Sequence, residues 1–110
     1  MKRAVLISEA ADHDIREICR WRAEHRSSEE AERWHNGLVD ELLKLDQHAE
    51  RFAAAAESHA FSIQVYQINF GLGSRPTHRA LYLVREEQVL ILRVRHLAQR
   101  DLAESELFES

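Results

Sequence analysis

The spacing of apolar residues changes along the chain and predicts the order of its elements. A short apolar run with β-branched residues, RAVLIS at 3–8, predicts a first strand. Over 9–25 the apolar residues recur every three or four positions, which is typical of an amphipathic helix. Ser27 and Glu30 have the spacing of a capping box, so a second helix is predicted to begin there and to follow an apolar stripe to Ala49.

In the second half of the chain the pattern changes to a period of two, which predicts three strands. They cover 63–70, 78–86 and 88–96, and the first two are separated by GLGSRPT at 71–77. The predicted order is therefore β-α-α-β-β-β. We expect a two-layer α+β fold, in which an N-terminal strand is followed by an antiparallel helical hairpin packed on one face of a mainly antiparallel four-stranded sheet. The other face of the sheet is expected to stay open for binding.

Chain length and composition are those of one folded domain. The chain has 110 residues, of which 45% are hydrophobic and 31% charged. We place the domain at 1–102 and predict an acidic C-terminal tail at 103–110. Cys19 is the single cysteine, so no internal disulfide is expected, and the N-terminus lacks the pattern of a signal peptide. No apolar run approaches the length of about 20 residues that a membrane span needs. We therefore expect a cytoplasmic protein that does not enter a membrane.

Charge is distributed unevenly along the chain. The net charge is -4, but residues 59–102 carry six arginines against three acidic residues, whereas residues 103–110 carry three glutamates and no cation. The basic character of the second half is therefore local, and all of it is arginine.

Alternation along the last two strands places several arginines on one face of the sheet. In the last strand, one face is predicted to carry Val89, Ile91, Arg93 and Arg95. The other face is predicted to lie against the helices and to carry Leu90, Leu92, Val94 and His96. The same argument places Arg79 and Arg85 on the face with Arg93. Because a guanidinium donates paired hydrogen bonds to phosphate or carboxylate, these arginines could bind an anion. The alternative is that they pair with the chain's own acids, such as Glu86, Glu87 or the C-terminal glutamates.

Other candidate chemistry is sparse. His96, at the end of the last strand, is either a half-buried imidazole bonded to backbone or a general acid/base. The histidines lack the spacing of a zinc site, and no glycine-rich phosphate loop is present, so we predict no metal and no cofactor. Trp21 and Trp34 lie at helical positions, which favours packing over a role in base stacking.

Taken together, these residues resemble the RelE/ParE superfamily of toxins from bacterial type II toxin-antitoxin systems. The similarity is carried by SEAADHDIREI after the first strand, AERWHNGLVDELLKLDQHAERF in the second helix, HRALYLVREEQVLILRVRH in the final hairpin and AQRDL beyond it. It spans nearly the whole chain, and the hairpin is its most specific part.

The resemblance implies a plasmid stabilization toxin that arrests growth and is neutralised by a cognate antitoxin protein. Members that resemble RelE cut messenger RNA in the ribosome through attack by the 2′-hydroxyl, whereas members that resemble ParE inhibit DNA gyrase. By position, Arg79 and Arg100 match arginines of the family, and His96 lies where some nuclease members place an acid/base histidine. If the protein is a nuclease, Arg79, His96 and Arg100 would be catalytic. The target or anion site would comprise Arg79, Arg93, Arg95 and Arg100.

Two departures from the family pattern favour inhibition of gyrase. The second strand, IQVYQINF, lacks the lysines that RelE-like nucleases place there, and the acidic total is unusual for a protein that enters a ribosome. We therefore predict a ParE-like toxin. A RelE-like ribosome-dependent mRNA endoribonuclease and a non-toxic member that only binds a partner are the alternatives. The sequence leaves open the antitoxin class and whether the chain forms a homodimer.

Overall fold

A four-stranded mixed sheet lies at the centre of the computed structural model, which describes residues 2–60 and 63–107. The strands are β1 (Ala4–Ile7), β2 (Tyr66–Phe70), β3 (His78–Val84) and β4 (Gln88–His96). The helices are α1 (Glu9–His25), α2 (Ser28–Leu43), α3 (Leu45–His48) and α4 (Glu104–Leu107), with 3-10 turns at Ala49–Arg51 and Ala56–Ala60. No helix within these ranges is long and apolar enough to cross a membrane.

The helical hairpin begins as the sequence predicts and ends earlier. Ser8 and Ser27 cap α1 and α2, because their hydroxyls accept the backbone N–H groups of Ala11 and Glu30 at 3.1 and 3.0 Å. The second predicted helix, expected to continue to Ala49, breaks after Leu43, and the chain continues as α3 and a 3-10 turn. This bend turns the Ala49 carbonyl towards the sheet, where it accepts the buried Tyr82 hydroxyl at 2.7 Å.

The main core lies between the helices and one face of the sheet. The strand order is β1-β4-β3-β2, with β1 parallel to β4 and the other pairs antiparallel. Gly37 of α2 lies against Phe70 of β2, and a Cβ at this position would come within 2.8 Å of the Phe70 ring. The glycine in the apolar stripe therefore allows a close approach of helix and strand. The predicted two-layer α+β fold is confirmed.

A β-bulge in β4 corrects the predicted faces of this strand. Leu81 pairs with Arg93 but Tyr82 pairs with Ile91, so Leu92 is an extra residue in β4. As a result Val89, Ile91 and Val94 all pack in the main core, while Leu90 and Leu92 pack on the opposite face. The prediction that Leu90 and Leu92 face the helices is wrong, because the bulge interrupts the period of two.

The face away from the helices is covered in part by a second, smaller core. Its buried members are Ala55, Val65, Leu81, Leu83, Leu92, Leu102 and Leu107. Leu102 and Leu107 come from the C-terminal segment, which folds back over the sheet and includes α4. The prediction of a fully open face is therefore wrong, since apolar residues on that face bury themselves under this segment. The boundary predicted at residue 102 remains a prediction, and residues 108–110 of the predicted tail lie outside the described ranges.

Candidate functional site

Arg79 is held in a buried ion pair at the start of β3. Its guanidinium donates to both oxygens of Glu57, at 2.7 and 2.6 Å, and the two residues are only 4% and 2% exposed. Glu57 also accepts the backbone N–H of Leu102 at 2.9 Å. Burial by itself raises the pKa of the Glu57 carboxyl, but the hydrogen bonds from Arg79 and Leu102 together outweigh it, so the pKa lies below its ordinary value. Both groups are therefore charged at neutral pH.

Arg93 is paired with Asp14 of α1. Its Nε and Nη2 atoms donate to the two carboxylate oxygens of Asp14 at 2.7 and 2.9 Å, and its Nη1 donates to the carbonyl of Glu106 at 3.0 Å. One Asp14 oxygen also accepts the N–H of Val94 at 3.0 Å. Asp14 therefore accepts hydrogen bonds both from the Arg93 guanidinium and from the backbone of β4 just beyond the bulge.

Arg100 forms an exposed pair with the C-terminal segment. It donates to both oxygens of Glu106 at 2.8 and 2.9 Å, and Glu106 also accepts the N–H of Ala103 at 3.0 Å. The hydrogen bonds from Arg100, followed by that from Ala103, lower the pKa of Glu106 to about 2. Arg100 therefore pairs with a C-terminal glutamate, which was one of the two alternatives predicted from the sequence.

Arg95 differs from the other three arginines. Its Nη2 donates to the Arg100 carbonyl at 3.2 Å, while its Nε is buried and has no hydrogen-bond partner among the described residues. Within those residues it also has no carboxylate within ion-pair distance. Burial, followed by the positive charges of Arg93, Arg79 and Arg100, lowers the pKa of the Arg95 guanidinium. We call these four residues, Arg79, Arg93, Arg95 and Arg100, the arginine surface; Arg95 is its incompletely satisfied member.

His96 lies on the opposite side of the sheet from the arginine surface. In the β3-β4 register Arg79 pairs with Arg95 and His78 pairs with His96, so the two histidines and the two arginines occupy opposite faces. The rings of His78 and His96 are 5.1 Å apart, and the Nδ1 atom of His96 accepts the Ala98 N–H at 3.0 Å. The predicted catalytic residues Arg79 and His96 are therefore not brought to one point.

His96 instead contributes to a pocket of about 400 Å³ beside the end of α1, which we call the helix-side pocket. Its lining residues are Ile18, Trp21, Arg22, Arg26, Thr77, His78 and His96. Burial, and then the charges of His96 and Arg22, lower the pKa of His78 to about 4, so this imidazole is neutral at pH 7. Its ring also packs edge-on against Trp34, with 5.1 Å between centroids.

The residues that give these two surfaces their character were not predicted from the sequence. Asp14 and Glu57 are far from the arginines along the chain, and no local pattern links them. The pocket residues had a weak signal, because Arg22 and Arg26 are spaced by four at the end of a predicted helix and lie next to Trp21. The packing predicted for Trp34 is correct, whereas Trp21 is 52% exposed.

The chain matches a family model and resembles two solved toxin structures. Residues 5–101 match the model described as "ParE toxin of type II toxin-antitoxin system, parDE". A structure of the chromosomal ParDE system from P. aeruginosa is 18% identical with a TM-score of 0.66, covering 86% of this chain and 96% of that one. A mutant of the E. coli toxin RelE in the free state is 17% identical with a TM-score of 0.56, covering 89% of this chain and 86% of that one.

These comparisons agree with the resemblance found in the sequence. No curated protein matched the chain. At these identities the two structures establish the fold alone, and the family assignment rests on the family model, which spans most of the chain. The predicted membership of the RelE/ParE superfamily is confirmed. The chain belongs to the ParE toxin family of type II toxin-antitoxin systems.

Proposed function

We propose that this protein is the toxin of a type II toxin-antitoxin module, that it acts in the cytoplasm, and that it arrests growth by inhibiting DNA gyrase. The observation that carries the choice of target is the separation of His96 from Arg79 on opposite faces of the sheet. A nuclease of the RelE type would need its acid/base and its phosphate-binding cations around one scissile phosphate. Arg79 and His96, to which the resemblance assigns these two roles, lie on opposite faces and are not arranged in that way.

The target contact is proposed to centre on Arg95. Three of the four arginines already bind carboxylates of the same chain; the pairs of Arg79 and Arg93 are buried or half-buried, and that of Arg100 is exposed. Arg95 has a buried Nε with no partner in the described part of the chain, and three further arginines reinforce the positive potential around it. Because Arg95 as a whole is only half-buried, an anionic group of the target would bind the part of its guanidinium that reaches the surface.

The proposal predicts that the purified protein abolishes supercoiling by purified gyrase. Substitution of Arg95 by Gln should raise the concentration for half-inhibition about tenfold, because one charge-assisted contact is lost. Arg85→Gln is the matched control, since Arg85 is exposed at the end of β3 and lies outside the arginine surface. Undiminished supercoiling at saturating protein would contradict inhibition of gyrase.

A ribosome-dependent endonuclease is the second candidate, because an unsatisfied guanidinium could equally bind an RNA phosphate. Cuts at codon positions in translated message, with gyrase unaffected, would favour it. Normal growth of cells that accumulate folded protein would favour a non-toxic member that only binds a partner.

The antitoxin is proposed to be a short protein encoded beside this gene. Its co-expression should restore growth and yield a stable complex during purification. The stoichiometry of that complex, measured by light scattering, would also establish whether the toxin forms a homodimer.

A further inference from the structure

The helix-side pocket has no role in the proposed inhibition of gyrase and carries a chemistry of its own. It lies on the opposite side of the sheet from Arg95, between the end of α1 and the adjoining ends of β3 and β4. Its volume of about 400 Å³ is within the range of about 300–1,000 Å³ that is typical of small-ligand sites. A folded peptide helix is too large for such a space, whereas a single small molecule fits.

An exposed aromatic ring forms one wall of the pocket. Trp21 is 52% exposed although the other tryptophan, Trp34, is completely buried. One side of the Trp21 ring stacks on His25, with 4.5 Å between centroids and an interplanar angle of 14°. The His25 ring is itself fixed by a hydrogen bond between its Nδ1 and the Trp21 carbonyl at 2.9 Å. The indole is therefore held in place while much of its surface faces solvent, as required for stacking on a planar ligand.

Cationic donors stand beside this ring. The Arg22 side chain is 13% exposed and lies over the Trp34 ring at 5.6 Å. Among the described residues its one ion-pair contact is with a carboxylate oxygen of Glu30 at 3.8 Å. Arg26 has no ion pair among the described residues. Glu30, together with the partial negative charge of about one half at the end of α1, offsets part of the two full positive charges of Arg22 and Arg26 but not all of it. The electrostatic balance in the pocket therefore favours an anion.

His96 adds a directed donor. Because its Nδ1 accepts the Ala98 N–H, the neutral ring carries its proton on Nε2. His78, the neighbouring imidazole, stays neutral at pH 7 and adds no positive charge to the pocket. The pocket thus combines an aromatic platform, two guanidinium groups and an imidazole N–H.

We propose that the helix-side pocket binds a nucleoside phosphate, with the base stacked on Trp21 and the phosphate bound by Arg22 and Arg26. A free inorganic anion would leave the exposed indole unused, and an uncharged aromatic ligand would leave the arginines unused. The chain has no glycine-rich phosphate loop, so side chains replace the backbone N–H groups that such a loop supplies. The ligand is either a free mononucleotide or the phosphorylated end of a single strand. Both present the same groups to the pocket, a base and a phosphate.

Isothermal titration of the purified protein with adenosine 5′-monophosphate tests the proposal. We expect saturable binding at submillimolar concentration, with inorganic phosphate and adenosine each at least tenfold weaker. Trp21→Leu should weaken binding about tenfold through loss of stacking, and Arg26→Gln by a similar factor through loss of a charge-assisted contact. Both positions are exposed, so both variants should fold. Arg20→Gln, which alters an exposed arginine paired with Glu17 outside the pocket, should bind as the wild type does.

Three outcomes would overturn the assignment of a nucleoside phosphate to this pocket. Absence of binding up to several millimolar, phosphate binding as tightly as the nucleotide, or unchanged affinity in both Trp21→Leu and Arg26→Gln would overturn it. A short single-stranded oligonucleotide with a 5′-phosphate serves as the second probe. Tighter binding of this probe, still sensitive to Trp21→Leu, would support the site and identify the end of a strand as the source. If either variant fails to fold, the comparison of nucleotide, nucleoside and phosphate on the wild type decides.

Discussion

The arginine surface and the helix-side pocket lie back to back on the same two strands, yet they balance charge in opposite ways. On the arginine surface, acids of the same chain neutralise three of the four cations at close range. In the pocket, Arg22 has one carboxylate oxygen at 3.8 Å and the cations stand beside an exposed tryptophan. Arginines that cluster in the sequence can therefore stabilise the fold, whereas a less conspicuous pair of cations at the end of a helix stays available to a ligand.

The largest effect should come from breaking the buried pair that neutralises Arg79. Glu57→Gln leaves a buried guanidinium without its counter-charge, so we expect the free energy of unfolding to fall by about 3–5 kcal/mol. Urea denaturation of the variant measures this loss. Glu86→Gln, an exposed change in the β3-β4 turn, should alter stability by less than about 0.5 kcal/mol. Equal effects of the two substitutions would show that the pair is not a structural one.

The buried imidazole of the helix-side pocket should make stability depend on pH. His78 has a pKa of about 4 when folded, against an ordinary value of 6.5, so the unfolded chain binds the proton first. The contribution of His78 should be complete above pH 6.5 and be lost as pH falls to about 4, at a total cost of about 3 kcal/mol. His78→Phe should remove this part of the pH dependence in urea denaturation, whereas His35→Gln, at an exposed histidine, should keep it. The same pH dependence in wild type and His78→Phe would refute the assignment.

A smaller loss should follow removal of the charge of Asp14. Asp14→Asn weakens the bonds to Arg93 and to the Val94 N–H, so we expect a destabilisation of about 2 kcal/mol in thermal or urea unfolding. Glu17→Gln on the same helix breaks only an exposed pair with Arg20 and should cost less than about 0.5 kcal/mol. A change at Asp14 as small as that at Glu17 would mean that the Asp14 hydrogen bonds do not stabilise the fold.

The smallest effect on stability is expected at Arg95. Whether substitution raises or lowers the free energy of unfolding shows whether Arg95 has a structural role. Arg95→Met removes a buried Nε without a described partner and relieves repulsion from three arginines, so stability should stay equal or rise by about 1 kcal/mol. Toxic activity should fall in the same variant. A clear loss of stability would indicate that Arg95, like its neighbours, is a structural residue.

Much of the fold was predictable because it depends on local pattern. The period of the apolar residues and the capping serines located α1, the start of α2 and the three C-terminal strands. The bulge at Leu92 was not predictable from local pattern, and the side chains that bond to the strand around it, Ser8 and Asp14, lie about 80 residues away in sequence. The division of Arg93 and Arg95 from His96 between two faces was predictable, because side chains alternate along a strand and this part of β4 lies beyond the bulge.

The candidate site was predictable in residue type and not in arrangement. The pattern identified the arginines and placed Arg93 and Arg95 on one face of the strand, but it did not predict that Arg93 pairs with Asp14 of α1. Their partners could not be inferred, because Glu57 lies in a segment without periodicity and Asp14 lies on a helix. The pocket was missed because tryptophan at a helical position is usually buried, and only the fold reveals that Trp21 stays exposed.

Growth after induced expression of the His96→Ala variant without an antitoxin tests most directly whether the two surfaces have separate roles. If the arginine surface inhibits the target and His96 belongs to a separate pocket, this variant should arrest growth as strongly as the wild type, while Arg95→Gln should not. Loss of arrest in His96→Ala, with the variant folded and present at wild-type levels, would contradict the separation of the two surfaces and favour a nuclease.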